Sequence, residues 1–120
     1  MIRLRIAAAA SAMILAGAAF GHARLRSTTP AADAELQVAP KTLILTFNEK
    51  ARLAVLTLSI AGKKIPLAVD RNAPAAAEVT VALPPLAAGK YLVQWSALSP
   101  DDGHVTKGAF SFAIVGPGAA

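Results

Sequence analysis

Apolar positions along this chain follow two regimes. From Ile6 to Phe20 they form an uncharged, almost unbroken block, whereas beyond residue 40 they fall into short runs in which apolar and polar positions alternate. The clearest of these runs are 42–48, 53–60, 78–83, 91–97 and 109–115. In the first, Leu43, Leu45 and Phe47 alternate with Thr42, Thr46 and Asn48, while Ile44 interrupts the polar side and suggests burial on both faces. In the second, Leu56, Leu58 and Ile60 point one way and Thr57 and Ser59 the other. A period of two is that of a strand, whose successive side chains project to opposite faces.

Turn-forming residues separate the runs: Pro30 with Asp33, Ala61-Gly62-Lys63, residues 70–74, Pro84-Pro85 and Ala88-Gly89. Residues 73–77 are alanine-rich, but Pro74 and the short length predict a loop or at most one helical turn. About seven short strands with no helices between them predict an all-β chain folded as an antiparallel β-sandwich. Tyr91, Val93 and Trp95 share one face of one strand, and Trp95 is expected to plug the core between two sheets.

The first block has a different meaning. Arg3 and Arg5 precede it and small residues follow it, the layout of a cleaved secretory signal. A membrane-spanning helix would need ~20 strongly apolar residues, and this run is shorter and alanine-rich. Ala19-Phe20-Gly21 sets small residues at both recognition positions and would leave His22 as the mature terminus. Gly21-His22-Ala23 offers a competing frame in which that histidine is discarded. The expected organisation is a signal peptide over 1–21, one domain over 22–115 and a disordered tail over 116–120.

Loss of the signal leaves ten Lys and Arg against seven Asp and Glu, a formal charge of +3. Lys63-Lys64 is the only adjacent basic pair of the mature region, and no basic stripe with interleaved aromatics points to nucleic acid. The chain has no cysteine, so disulfides, thiolate metal sites and cysteine nucleophiles are excluded. A serine triad would need one of only two histidines, and no phosphate-binding glycine loop is present.

Those two histidines carry the chemistry. His22 stands at the expected mature terminus, and His104 lies in Ser99-Pro100-Asp101-Asp102-Gly103-His104. A terminal histidine offers a metal its free α-amine and a ring nitrogen together. Asp102 and His104, two apart, would project to one side of an extended segment, with Gly103 allowing the backbone to bend. Two imidazoles, an amine and a carboxylate form a nitrogen-rich set suited to tetragonal Cu(II), which also binds more tightly than Zn(II) in the divalent series. Asp102-Gly103 is equally a strong turn dipeptide, so an exposed loop without chemistry is the competing reading. Glu49 could orient a ligating imidazole or be an ordinary charged residue at a strand end.

Three ordered blocks resemble the CopC family of periplasmic copper-resistance proteins: HARLRSTTPAADAEL, LTFNE and GKYLVQWSALSPDDGHVTKGAFSF. The resemblance implies a seven-stranded Greek-key β-sandwich or barrel of immunoglobulin-like type, and cleavage before His22. It implies one Cu(II) ion held by the terminal amine and ring of His22, with His104 opposite and Asp102 near the axis. The stretch after Ser99 is one residue longer than the family's commoner spacing, so Asp101 competes with Asp102 for the axial role. Both methionines, Met1 and Met13, lie in the signal, and no thioether Cu(I) site is expected.

The function so implied is Cu(II) binding in the periplasm as carrier, buffer or donor, without catalysis. A CopD-like inner-membrane copper transporter is the implied partner, and a monomer is expected. Acid should release the ion, because amine and imidazoles bind metal only when neutral. Two rivals predict different behaviour: a histidine-brace copper monooxygenase would oxidise a substrate, and a metal-free immunoglobulin-like interaction domain would tolerate loss of either histidine.

Overall fold

A computed structural model describes residues 23–116; the expected signal segment, His22 and residues 117–120 lie outside the described residues. Seven strands are formed among the described residues: β1 (Leu25–Thr29), β2 (Glu35–Leu36), β3 (Thr42–Ile60), β4 (Lys63–Ile65), β5 (Ala76–Ala82), β6 (Gly89–Leu98) and β7 (Val105–Ile114). No helix occurs among them.

The two alternating runs at 42–48 and 53–60 are one strand. β3 is 19 residues long and belongs to both sheets. Its first part lies between β1 and β5, and its second part pairs with β4 and β6. The register with β5 shifts between Thr46 and Ala51, and that with β6 between Leu53 and Val55. Such irregularities bend a strand and increase its twist. The polar interruption Asn48-Glu49-Lys50 therefore marks a change of partners, not a loop.

Beyond that bend, β6 pairs antiparallel with β3 and β7, and β2 adds to β7 through a two-residue parallel pairing. The resulting all-β sandwich has sheets of order β1-β3-β5 and β4-β3-β6-β7-β2. β7 begins four residues before the predicted run, at Val105. The alanine-rich 73–77 stretch begins as loop, but Ala76 and Ala77 already belong to β5.

Burial follows the predicted alternation. Leu43, Leu45 and Phe47 are buried from one sheet, and Leu56, Leu58, Tyr91, Val93 and Trp95 from the other. Removing such side chains from water is the main favourable term in a chain with no covalent cross-link. Trp95 meets Phe47 edge-on, with ring centroids 5.5 Å apart and planes inclined by 75°. Tyr91 lies opposite Phe112 in the ladder and stacks on it at 5.4 Å. The Tyr91 hydroxyl donates to the Ala87 carbonyl at 2.6 Å, tying the loop before β6 to the core in the manner of a tyrosine corner.

Candidate metal centre

Two of the expected ligands, Asp102 and His104, belong to the end of the sandwich where β6 passes into β7. Ser99 N donates to His104 O at 2.9 Å, continuing the β6–β7 ladder by one step, and Gly103 N donates to Ser99 O at 2.8 Å. Between them Pro100, Asp101, Asp102 and Gly103 form an exposed four-residue loop. Gly103 has a φ of +71°, the left-handed region in which a side chain is disfavoured. The turn reading of Asp102-Gly103 is thus correct, and the extended geometry expected for Asp102 to His104 is not. Asp102 and His104 are coupled instead through the backbone, with His104 N donating to Asp102 Oδ1 at 2.9 Å. A carboxylate that receives the amide of the residue two positions on is an Asx turn, which fixes its own side chain as well as the loop. Asp101 is exposed one residue earlier.

His104 is exposed on a loop whose two stems are paired strands, the setting in which binding residues are commonly found. Among the described residues no group of three or more His, Cys, Asp or Glu side chains could hold a metal ion. Asp102 and His104 therefore fit a copper centre only if further nitrogen ligands reach them from beyond the described residues. His22, the remaining expected ligand, is one residue outside them.

The start of the described chain converges on this loop. Ala23 is fully buried, and its carbonyl accepts the Thr106 hydroxyl at 3.0 Å, two residues beyond His104. Arg24 is held on its other side by a reciprocal pair: Asn48 N donates to Arg24 O at 2.9 Å, and Arg24 N donates to Asn48 Oδ1 at 2.6 Å. Leu25 then enters the ladder opposite Phe47. The first described residues are thus clamped between β3 and β7. Glu49, next to Asn48 on β3, is half-buried, and its carboxylate takes no part in these bonds.

Asn48 and Thr106 are structural partners of this site that sequence reasoning did not single out. The reading of 42–48 assigned Asn48 to the polar side of a strand, with no sign of the partner that fills its amide. Thr106 fell outside the predicted 109–115 run, although Val105-Thr106, one residue beyond the Gly103-His104 step, is itself a β-branched strand signal.

The described part of the site is thus a β-sandwich that pins its first described residues beside a histidine-bearing hairpin loop. The model of the CopC domain matches residues 25–115, and the chain belongs to the CopC family. It is similar to Protein YobA of Escherichia coli K12, with 33% identity over 100 residues that span 79% of this chain and 80% of that protein. CopC from Methylosinus trichosporium OB3b superimposes with a TM-score of 0.62 at 30% identity, covering 78% of this chain and 93% of that one. PcoC, a copper resistance protein from Escherichia coli, gives a TM-score of 0.57 at 26% identity, covering 76% and 98%. Members of the family are copper-binding resistance proteins and not enzymes, and periplasmic copper binding is their general function.

Proposed function

We propose that this protein is a periplasmic Cu(II) carrier, buffer or donor that binds one ion at its processed amino terminus. In this reading, signal cleavage before His22 exposes an α-amine that chelates copper together with the His22 ring. His104 supplies the opposing imidazole, and Asp102 approaches along the axis. Asp102 is preferred to Asp101 because its carboxylate is already oriented by the His104 amide. Glu49 acts as an ordinary strand carboxylate, outside the ligand set. The protein works as a monomer and hands copper to, or takes it from, a CopD-like inner-membrane transporter.

The observation that carries the reading is the Thr106 to Ala23 hydrogen bond. It ties Ala23, the residue after His22 in sequence, to the strand that follows His104, and so supports a terminal ligand and a loop ligand acting together. The two ligand sources differ in kind: one sits on a hairpin loop within the fold, and the other is created only by processing.

The test is a Cu(II) titration of protein purified from the periplasm, with its first residue established by intact mass, followed by electron paramagnetic resonance. One equivalent bound in a tetragonal, nitrogen-rich signal, and lost when an extra residue precedes His22, is the expected result. Absence of tight binding by a chain shown to begin at His22 would overturn the proposal.

A further inference from the structure

A cleft of about 440 Å³ opens on the flank of the sandwich where β1 of one sheet faces β7 of the other. Its volume lies within the ~300–1,000 Å³ usual for sites that take small molecules. Leu25 and Phe110 supply apolar walls, Ala32 lies at an exposed part of the lining, and Trp95 reaches it from the core. Among the described residues Arg26 is the only charged one along the cleft, and no carboxylate lines it. Arg26 is also the residue at which the β1–β3 register slips: Leu25 pairs with Phe47 and Ser27 with Thr46, so Arg26 is the extra residue of a bulge. Bulges commonly re-aim a side chain beside a site.

Trp95 supplies an independent observation. It is only 7% exposed, yet its indole N–H makes no hydrogen bond among the described residues. An indole can only donate, and a buried tryptophan N–H normally has an acceptor. The residue opposite Trp95 in the ladder is Gly108. A Cβ at that position would come within 3.0 Å of Trp95 Cζ2 and 3.1 Å of Nε1. The absence of a side chain at 108 therefore leaves the donor edge of the indole uncovered on the cleft side.

Among the described residues, a donor without an acceptor, one cation, no acid and apolar walls define the complementary ligand. We propose that this cleft binds a small amphipathic carboxylate, its oxygens accepting hydrogen bonds from Trp95 Nε1 and pairing with Arg26, and its aromatic or branched apolar part lying against Leu25 and Phe110. The lining includes neither Asp102 nor His104.

Because the chain has a single tryptophan, one indole N–H resonance reports on the cleft alone. The metal-free protein is titrated with phenylacetate, and with phenylacetamide as its uncharged counterpart, while that resonance is followed. Phenylacetate should produce a saturable downfield shift, with phenylacetamide weaker by about tenfold, the usual value of one charge-assisted bond. Arg26→Gln should weaken phenylacetate by about the same factor, and Ala32→Phe, at an exposed rim position, should abolish the shift by filling the cleft. No saturable shift with phenylacetate, or an undiminished one in Ala32→Phe, would overturn the site. Equal affinity for phenylacetate in Arg26→Gln and the parent would overturn its assignment to anions.

Discussion

The two ends of β6 are ordered by different forces. At its start, Tyr91 and Phe112 stack face to face, both nearly inaccessible to water, and the tyrosine hydroxyl ties down the preceding loop. At its finish, Leu98 gives way to an exposed loop whose shape rests on hydrogen bonds: Ser99 with His104 and Gly103, and Asp102 with His104. Apolar packing is non-directional and tolerant of small shifts, whereas a hydrogen-bonded loop specifies direction with little buried area. One end thus supplies stability and the other supplies aim. Substitutions at the first should change folding more than copper binding, and substitutions at the second the reverse.

Phe112→Ala should break this division most severely at the packed end. Removal of a buried aromatic ring costs about 3–5 kcal/mol, read as a lower denaturation midpoint. Copper affinity, measured under conditions where the variant remains folded, should stay close to that of the parent. At the other end, His104→Ala should lower Cu(II) affinity by more than ~100-fold, since even partners of metal ligands contribute ~10–100-fold. The backbone bonds of residue 104 to Ser99 and Asp102 do not need the imidazole, so the variant should remain folded, as read by its denaturation midpoint.

Smaller effects sharpen the boundary. Thr106→Val removes the donor to the Ala23 carbonyl while keeping a β-branched strand residue. It should cost about 1 kcal/mol in denaturant unfolding, and weaken copper several-fold because the amino terminus loses its anchor. Equal copper affinity in this variant and the parent would show that the Arg24–Asn48 pair suffices to position the terminus. Tyr91→Phe should likewise cost about 1 kcal/mol at neutral pH, with copper affinity unchanged. Burial pushes the Tyr91 phenol above its ordinary value of 10.0. The stability contributed by the neutral phenol is therefore complete below that pH and is lost as pH rises through the folded value. The stability gap between parent and Tyr91→Phe should narrow in strongly alkaline solution.

Much of the packed half could be read from the alternation of side chains. Leu43, Leu45 and Phe47, and Tyr91, Val93 and Trp95, announce their inward faces by a period of two, because burial on one face leaves that imprint on any strand. The continuity of β3 could not be read in this way. Asn48-Glu49-Lys50 has the polarity of a loop, and only the partners on either side reveal that the backbone stays extended through it. The short β2 and β4 leave no periodic signal, since two or three residues cannot display one. At the site, His104 and Asp102 stood out by residue type and spacing. Their relation did not, because Asp-Gly permits both a bend and an extended run, and a hydrogen bond from the His104 amide decides between them. Asn48 and Thr106 act through backbone partners distant in sequence, which no local pattern encodes.

The single strand shared by the two sheets also bears on how the molecule opens. β3 contacts β1, β4, β5 and β6, so neither sheet can detach while the other stays intact without breaking the same strand in two. The amides in the middle of β3 should then exchange with solvent only when the whole domain unfolds, whereas those of β2 and β4, held by two or three residue pairs, should exchange by local fraying. The hairpin loop over 100–103, mounted on such a frame, can loosen at its tip without the frame taking part.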